Sequence, residues 1–220
     1  MKKLLISLLC VSTVFCAEQQ SACIVDYEPS HKDSVMEICF QDPLQFFGGS
    51  QLVSNGAWSM EQFIETNRQT MEGIFADPLR VKRVMVESGR VVGFSEFFKT
   101  KEQSLESLKK QMNLAPEEEA QIVAMMPNLK KTDAECETFV LLECLAVSRD
   151  SRRRGYARAL LNDSIEHIKQ KWPMVTRVQL NVNAANENAR RLYESEGFTV
   201  SAIQPPHLVK MEDVQYEKAV

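Results

Sequence analysis

Phe139-Val-Leu-Leu-Glu-Cys-Leu-Ala-Val147 is followed directly by Ser148-Arg-Asp-Ser-Arg-Arg-Arg-Gly-Tyr-Ala157, and these two stretches decide the fold. The first is apolar on both alternating faces, which is typical of a central buried strand. The second is a basic turn leading into a helix predicted over 153–170, where apolar residues recur at helical spacing. The sequence therefore predicts a buried strand, a tight turn and a helix as its core unit.

The turn has the chemistry of an anion site. A helix start presents backbone N–H groups at the positive end of the helix dipole, where they favour a phosphate or pyrophosphate. Gly155 lets the backbone approach a ligand closely, and the neighbouring arginines add positive charge. The turn lacks the Gly-Lys-Ser/Thr ending of a P-loop and the repeated glycines of a dinucleotide fingerprint. A solvated basic helix start is the alternative interpretation.

Shorter periodic segments surround this unit in mixed α/β order. Strands are predicted at 23–27, 81–87, 91–98, 175–182, 198–203 and 209–216. Helices are predicted from Ser30, from Ser59 with Gln62 completing a capping box, and over 187–196. We expect one domain over 23–217, with a helical insertion at about 99–137 that holds helices near Leu105 and after Pro116.

The composition excludes several classes of protein. The chain has 220 residues, 44% of them apolar, and a formal net charge of −4. That apolar fraction excludes a disordered or collagen-like chain, and the acidic balance argues against nucleic acid as a partner. The length is sufficient to bury a core without metal or disulfide support.

Residues 1–17 differ from the rest of the chain. Two lysines precede an apolar run that is too short for a membrane span and resembles a secretory signal peptide. We therefore expect export to a periplasm or the outside, and no stable membrane span in the mature protein. A cytosolic leader strand or a wrongly assigned start codon remains the alternative. Outside this leader, four cysteines could form two disulfides after export or serve as small buried hydrophobes, namely Cys23, Cys39, Cys136 and Cys144.

Two signatures in this chain resemble those of the GNAT superfamily of N-acetyltransferases. Arg152-x-x-Gly155-x-Ala157 is similar to the family's acetyl-CoA-binding signature. Asn186-x-x-Ala189-x-x-Leu192-Tyr193-Glu194-x-x-Gly197-Phe198 resembles its second signature, about 25 residues downstream. The resemblance implies an α/β (α+β) fold with a mixed, mostly antiparallel twisted sheet flanked by helices. The leader and the 99–137 insertion depart from the family pattern.

The resemblance also implies roles for individual residues and acetyl-CoA as co-substrate, without a metal. The pyrophosphate would be held by the turn, here Arg152, Arg153, Arg154, Gly155, Tyr156 and Ala157. The pantetheine and acetyl carbonyl would meet backbone groups of Leu145, Ala146 and Val147. Asn186 would also contact the cofactor, and Tyr193 would act as general acid toward the departing thiolate.

Glu143 is a candidate base on its own chemistry. It is the only charged residue in a nine-residue apolar strand, and a buried unpaired carboxylate needs a partner, water or a task. A carboxylate can accept the proton of an attacking amine. A structural ion pair with a nearby arginine is the alternative.

The function expected from these features is acetyl transfer from acetyl-CoA to a primary amine by direct attack in a ternary complex. The acceptor would be a small-molecule amine or a peptide or protein amine, and a homodimer is possible. The alternative is a non-catalytic module that binds or senses CoA on the same fold.

Overall fold

The computed structural model describes residues 22–47, 53–54, 56–112, 114–125, 129–204 and 213–220. Its strands are β1 (Cys23–Asp26), β2 (Val81–Glu87), β3 (Arg90–Lys101), β4 (Thr138–Val147), β5 (Arg177–Asn183), β6 (Thr199–Gln204) and β7 (Asp213–Ala219). Its helices are α1 (Lys32–Phe40), α2 (Pro43–Phe46), α3 (Met60–Ala76), α4 (Leu105–Met112), α5 (Pro116–Met125), α6 (Tyr156–Lys171) and α7 (Glu187–Ser195).

The strands form one sheet in the order β1-β2-β3-β4-β5-β7-β6. All neighbouring pairs are antiparallel except β4 and β5, which run parallel. Helix α6 packs on one face against β2, β3 and β4, and α1 packs against β3, β4 and α3 on the other face. The expected mixed, mostly antiparallel sheet flanked by helices is confirmed.

The parallel strands β4 and β5 part after a short contact, and this separation positions the site. Their register covers only Val140 with Val178, Leu141 with Gln179 and Leu142 with Leu180. Beyond Leu142, β4 continues for five residues to Val147 beside β3 alone. The carboxyl-terminal halves of β4 and β5 therefore border an open wedge in the sheet.

A β-bulge in β4 lies at the start of this wedge. Glu96 of β3 pairs with Cys144 and Phe97 pairs with Leu142, so Glu143 is the extra residue. The bulge reverses the alternation of β4: Leu142 packs in the α6 cluster, whereas Cys144 packs in the cluster under α1 and α3. Bulges re-aim side chains in this way.

Several helix ends match the sequence patterns that predict them. Ser59 and Gln62 form the reciprocal capping box at the start of α3. Helix α6 begins three residues later than predicted, because Gly155 has φ +84° and Arg153 has φ +67°, and neither value continues a right-handed helix. The helix predicted from Ser30 instead begins with a short 3₁₀ turn, Pro29–His31.

The segment predicted as an insertion contains both expected helices, α4 and α5. The sequence pattern predicts that Val123 is buried, but Val123 is 46% exposed, and Met112, which belongs to the amphipathic pattern of α4, is 62% exposed. Strand β3 also extends to Lys101, into the segment assigned to the insertion.

All four cysteines outside the leader are free thiols. Cys39 and Cys144 are buried as expected of small hydrophobes, whereas Cys23 is exposed and Cys136 is intermediate. Within the described ranges, no helix is both long enough and apolar enough to span a membrane. The predicted leader, residues 1–17, and the first part of the last predicted strand, 209–212, lie outside the described residues.

Candidate active site

The wedge between β4 and β5 opens into a cleft of about 720 Å³. Every residue predicted for the site lines this cleft except Arg154. These lining residues are Glu143, Leu145, Ala146, Val147, Arg152, Arg153, Gly155, Tyr156, Ala157, Asn186 and Tyr193. The structure thus brings residues from β4, the basic turn, α6 and α7 around one space.

The end of β4 turns unpaired backbone groups toward the cleft. The Ser148 amide donates to the Val92 carbonyl at 2.8 Å, so Gly93 and Val147 form a non-hydrogen-bonded pair. The N–H and C=O of Val147, and those of Leu145 two residues earlier, therefore point away from β3 and into the wedge. The Arg152 Nε donates to the Val147 carbonyl at 3.1 Å. The Val147 and Leu145 amides and the Leu145 carbonyl are the backbone groups that this edge offers a ligand.

The start of α6 is the place where the sequence predicts an anion site. Gly155 precedes the helix with φ +84°, and a Cβ atom placed there would meet nothing within 4 Å, so the turn leaves open space. Among the described residues, the backbone amides of Tyr156, Ala157 and Arg158 have no hydrogen-bond acceptor. These amides are the orphan donors of a helix start, which is where phosphate groups bind.

Carboxylates from other elements pair with most of the basic cluster, which consists of Arg149, Arg152, Arg153, Arg154 and Arg158. Asp42 pairs with both Arg149 and Arg152, and its hydrogen bond with Arg149 is the main reason that its pKa is lowered. Arg154 pairs with Glu87 at 3.0 Å, which explains why it does not line the cleft.

The same pairing extends along α6. Arg158 pairs with Glu196 at 2.5 Å. Within the described part of the chain, Arg153 is the one arginine of this cluster with no ion pair. Arg153 also lines the cleft, so its charge is available to an anionic ligand.

Two predicted cofactor contacts also have structural partners. The Tyr156 hydroxyl donates to Glu87. The Asn186 side chain accepts a hydrogen bond from the Ala189 amide at 3.2 Å and so caps α7. Asn186 borders the cleft, but its carbonyl oxygen is already engaged by the helix.

Glu143 differs from the sequence expectation. Its side chain is 40% exposed rather than buried, because the bulge directs it toward the cleft. It pairs with Arg80, which lies just before β2, and not with an arginine of the basic turn. The structure therefore combines both interpretations of Glu143: an ion pair and a position on the open cleft.

Tyr193 is buried at the cleft wall. Its ring packs against Phe198 and Tyr216, with centroid distances of 5.9 and 6.1 Å. Burial raises the pKa of Tyr193 well above its ordinary value, and nearby Cys144 adds to the effect. The hydroxyl therefore keeps its proton at neutral pH, as a proton donor requires.

Sequence reasoning missed Glu96. This carboxyl is fully buried on β3, accepts a hydrogen bond from Arg80 at 2.9 Å, and belongs to the same group as Glu143. Burial raises the pKa of Glu96 to about 7, with the Glu143 charge adding to the shift and Arg80 opposing it. Glu96, like Glu143, is the only charged residue in its predicted apolar strand, 91–98, so the same sequence signal marks both residues.

Sequence reasoning also missed Asp42, which reaches the basic turn from a position more than a hundred residues earlier. No local pattern signals such a contact.

Asn181 lines the cleft as well, on the strand opposite Glu143, and its amide cannot act as a base. In the described ranges, no group of three His, Cys, Asp or Glu side chains is arranged to hold a metal ion.

The same fold occurs in solved acetyltransferase structures. One is a GNAT-family protein from Desulfovibrio desulfuricans, at 13% identity and a TM-score of 0.54, covering 90% of this chain and 99% of that one. Another is the PaiA N-acetyltransferase from Thermoplasma acidophilum in complex with coenzyme A, at 12% identity and a TM-score of 0.53, covering 91% and 99%. A third is the ribosomal-protein-S18-alanine N-acetyltransferase from Escherichia coli, at 16% identity and a TM-score of 0.52, covering 91% and 93%.

Sequence comparison identifies the family. The sequence profile of the acetyltransferase (GNAT) family matches residues 51–198, whereas a search of curated proteins gives no match. The fold and this match define an acyltransferase. The matched segment spans most of the chain, so the protein belongs to the GNAT acetyltransferase family, and its general activity is acetyl transfer.

Proposed function

We propose that this protein is an N-acetyltransferase that moves the acetyl group of acetyl-CoA to a primary amine by direct attack in a ternary complex. The observation that carries the proposal is the parting of β4 and β5 beyond Leu142 and Leu180, with the predicted site residues gathered around the resulting cleft. This arrangement gives one space bordered by an anion-binding turn, free strand edges, a carboxylate and a buried phenol.

The residues present fit coenzyme A. The open space at Gly155 and the free amides of Tyr156 and Ala157 suit its pyrophosphate, and Arg153 supplies an unpaired positive charge. The free backbone groups of Leu145 and Val147 suit an extended amide chain such as pantetheine, in the manner of strand addition. Acetyl-CoA would supply the acetyl group as a thioester.

Glu143 and Tyr193 line the same cleft and have the properties of a base and an acid. Glu143 is accessible from the cleft and accepts the proton of the attacking amine, directly or through water. The amine nitrogen bonds to the acetyl carbon as the carbon–sulfur bond breaks. Tyr193 gives its proton to the departing sulfur, and strand amides stabilise the negative charge on the carbonyl oxygen. Glu143 then loses its proton to solvent, and Tyr193 regains a proton from solvent.

The cysteines near the cleft favour direct attack over an acetylated enzyme. Cys39 lines the cleft, and burial raises the pKa of its thiol to about 12. Burial also raises the pKa of Cys144 well above its ordinary value. The thiolate is the nucleophilic form of cysteine, and neither residue forms it at neutral pH.

The acceptor is an amine of a small molecule, a peptide or a protein. One structural neighbour is named for a ribosomal-protein alanine, and another, an Arabidopsis thaliana protein at 17% identity and a TM-score of 0.51, was solved with a bisubstrate analogue. These neighbours make a peptide amine a suitable first acceptor to test.

Calorimetric titration with acetyl-CoA, followed by an assay for free CoA thiol with small amines, peptide N-termini and lysine peptides, tests the proposal. We expect binding together with thiol release that depends on one of these amines and is lost in Glu143→Gln. Binding with no release on any amine would instead indicate a non-catalytic CoA-binding module. Absence of binding would overturn the assignment of the cleft.

A further inference from the structure

Glu96 and Glu143 share one guanidinium group. The Nη1 atom of Arg80 donates to Glu96 Oε1 at 2.9 Å and also contacts Glu143 Oε2. Arg80 is fixed further by Asp77, whose carboxylate lies 3.3 Å from its Nε, and by Phe98, whose ring centroid is 4.1 Å from its Cζ. Arg80 is thus a rigid bridge between a fully buried carboxyl and one that opens onto the cleft.

The bulge in β4 creates this bridge. Glu96 lies on the face of β3 opposite Phe97, which packs under α6. In a regular strand, Glu143 and Cys144 would point to opposite faces. Because Glu143 is the extra residue, it reaches the same guanidinium as Glu96, while Cys144 packs under α1 and α3. The bulge therefore does more than expose Glu143: it couples Glu143 to a second carboxyl.

The charge balance of this group is unusual. Glu96 has no exposed surface, and its Oε2 atom has no hydrogen-bond partner among the described residues. The charged and titratable groups around it are Arg80 and Asp77 before β2, Lys82 on β2, and Glu143 and Cys144 on β4, with Cys39 of α1 beside Cys144. Lys82 is itself bonded to the Asp77 carbonyl at 2.7 Å. The single charge of Arg80 is therefore shared by three carboxyl groups, those of Asp77, Glu96 and Glu143.

We propose that Glu96 is a positioning residue for Glu143: it shares the Nη1 group of Arg80 with Glu143 and offsets part of the arginine charge, so that Glu143 stays oriented to the cleft and able to accept a proton. An arginine paired with Glu143 alone would stabilise the carboxylate and weaken it as a base. This inference rests on the proposed role of Glu143 as base.

The ionisation of Glu96 makes the arrangement sensitive to pH. Its pKa of about 7 means that Glu96 is ionised above neutral pH and offsets Arg80 there. Below pH 7 Glu96 takes up a proton, and the charge of Arg80 is then shared by Glu143 and Asp77 only, so Glu143 receives more of it. Glu96→Gln mimics this protonated form at every pH.

The first test measures turnover with the amine that releases CoA thiol fastest. We expect Glu96→Gln to lower kcat about tenfold at pH 8 while the acceptor KM and the acetyl-CoA Kd stay within about twofold. The change in kcat near pH 7 that we expect in the wild type should be absent from Glu96→Gln. In an Arg80→Gln background, Glu96→Gln should have no further effect on kcat, because its influence passes through Arg80.

Asp163→Asn is the matched control. It breaks the half-buried pair between Arg83 and Asp163, at 2.8 Å on the other face of the sheet, and should lower stability without changing the pH profile. A Glu96→Gln profile that overlays that of the wild type would overturn the inference. So would equal effects of Glu96→Gln with and without Arg80.

The second test needs no acceptor. In protein labelled with ¹³C at its glutamate carboxyls, the Glu143 signal is identified by its loss in Glu143→Gln. We expect this signal to move in a step near pH 7 in the wild type and to lack that step in Glu96→Gln. No step in the wild type would contradict the coupling. If Glu143→Gln retains full turnover, the proposed role of Glu143 as the base fails instead, whatever the result for Glu96.

Discussion

Leu142 and Leu180 form the last paired positions of the parallel strands β4 and β5. Both side chains are buried, so the sheet is firmly packed up to this pair and open beyond it. The cleft begins at the next residue, Glu143, and continues past Val147 to the start of α6. The separation of two strands therefore places a carboxylate, free backbone groups and the basic turn along one line.

The turn predicts that Gly155→Glu abolishes acetyl-CoA binding. A glutamate there would occupy the open space, place a negative charge beside a pyrophosphate, and strain a backbone with φ +84° by about 1–2 kcal/mol. Gly89→Glu is the matched control, because Gly89 also has positive φ and open space but lies in the β2–β3 hairpin. Calorimetry should show no binding for the first variant and normal binding for the second. Normal affinity in Gly155→Glu would refute the phosphate site.

Tyr193→Phe should lower kcat by about 10²–10⁴-fold while acetyl-CoA affinity persists. The phenylalanine ring keeps the packing against Phe198 and Tyr216 but has no proton to donate. Steady-state kinetics together with calorimetry separates the two quantities. Unchanged turnover would remove Tyr193 from the mechanism.

Asp42→Asn should raise acetyl-CoA affinity about fivefold, which corresponds to about 1 kcal/mol for an exposed charge interaction. The substitution frees Arg149 and Arg152 for the ligand's phosphates. Glu166→Gln is the control: it also removes one negative charge, but from a part of α6 that does not line the cleft, and it should leave acetyl-CoA affinity unchanged. Equal effects of the two variants would show that only net charge matters.

Glu96→Gln should change how stability depends on pH. The pKa of Glu96 is raised from 4.5 to about 7 in the folded protein, so its protonated form stabilises the fold fully below pH 4.5, and that contribution is lost as pH rises through 7. The free energy of unfolding lost in this way is at most about 3 kcal/mol, because a difference of one in pKa corresponds to about 1.36 kcal/mol. In urea unfolding, the free energy of unfolding of Glu96→Gln should therefore rise relative to that of the wild type between pH 4 and pH 8. Parallel pH dependences would contradict this account.

We propose that the leader, residues 1–17, carries an export signal that is cleaved near Ala17, and that the mature protein acts outside the cytoplasm. Sequencing the N-terminus of the protein from its native cells should find a mature chain that begins near Ala17. An intact Met1 would contradict cleavage and favour the cytoplasmic alternative.

Much of this fold could be predicted because its signals are local. The apolar strand at 139–147, the Ser59–Gln62 capping box and the glycines at 155 and 197 each act on neighbouring residues, and the structure reproduces them. The two signatures likewise place most of the cleft lining. Glu143 is the one charged residue of its apolar strand and lines the cleft, but its exposure depends on a bulge that no sequence pattern marks.

The missed features depend on contacts between distant residues. Asp42 meets Arg149 across more than a hundred residues, and Arg80 meets Glu143 across 63. Such pairs are fixed only when the sheet order and the register of β3 and β4 are set. The exposure of Met112 and Val123 has the same origin, because an amphipathic pattern shows which face is apolar but not whether a partner covers it.

The proposed reaction, transfer of an acetyl group to an amine with Glu143 as the base, is tested most directly with acetyl-CoA that carries a ¹³C-labelled acetyl group. Wild-type protein and Glu143→Gln are each given this acetyl-CoA and the amine panel, and free thiol and labelled amine are measured together. We expect labelled amine equal in amount to the thiol released by the wild type, and almost none from Glu143→Gln despite normal acetyl-CoA binding. Labelled amine formed equally by both proteins, or by neither, would contradict this proposal.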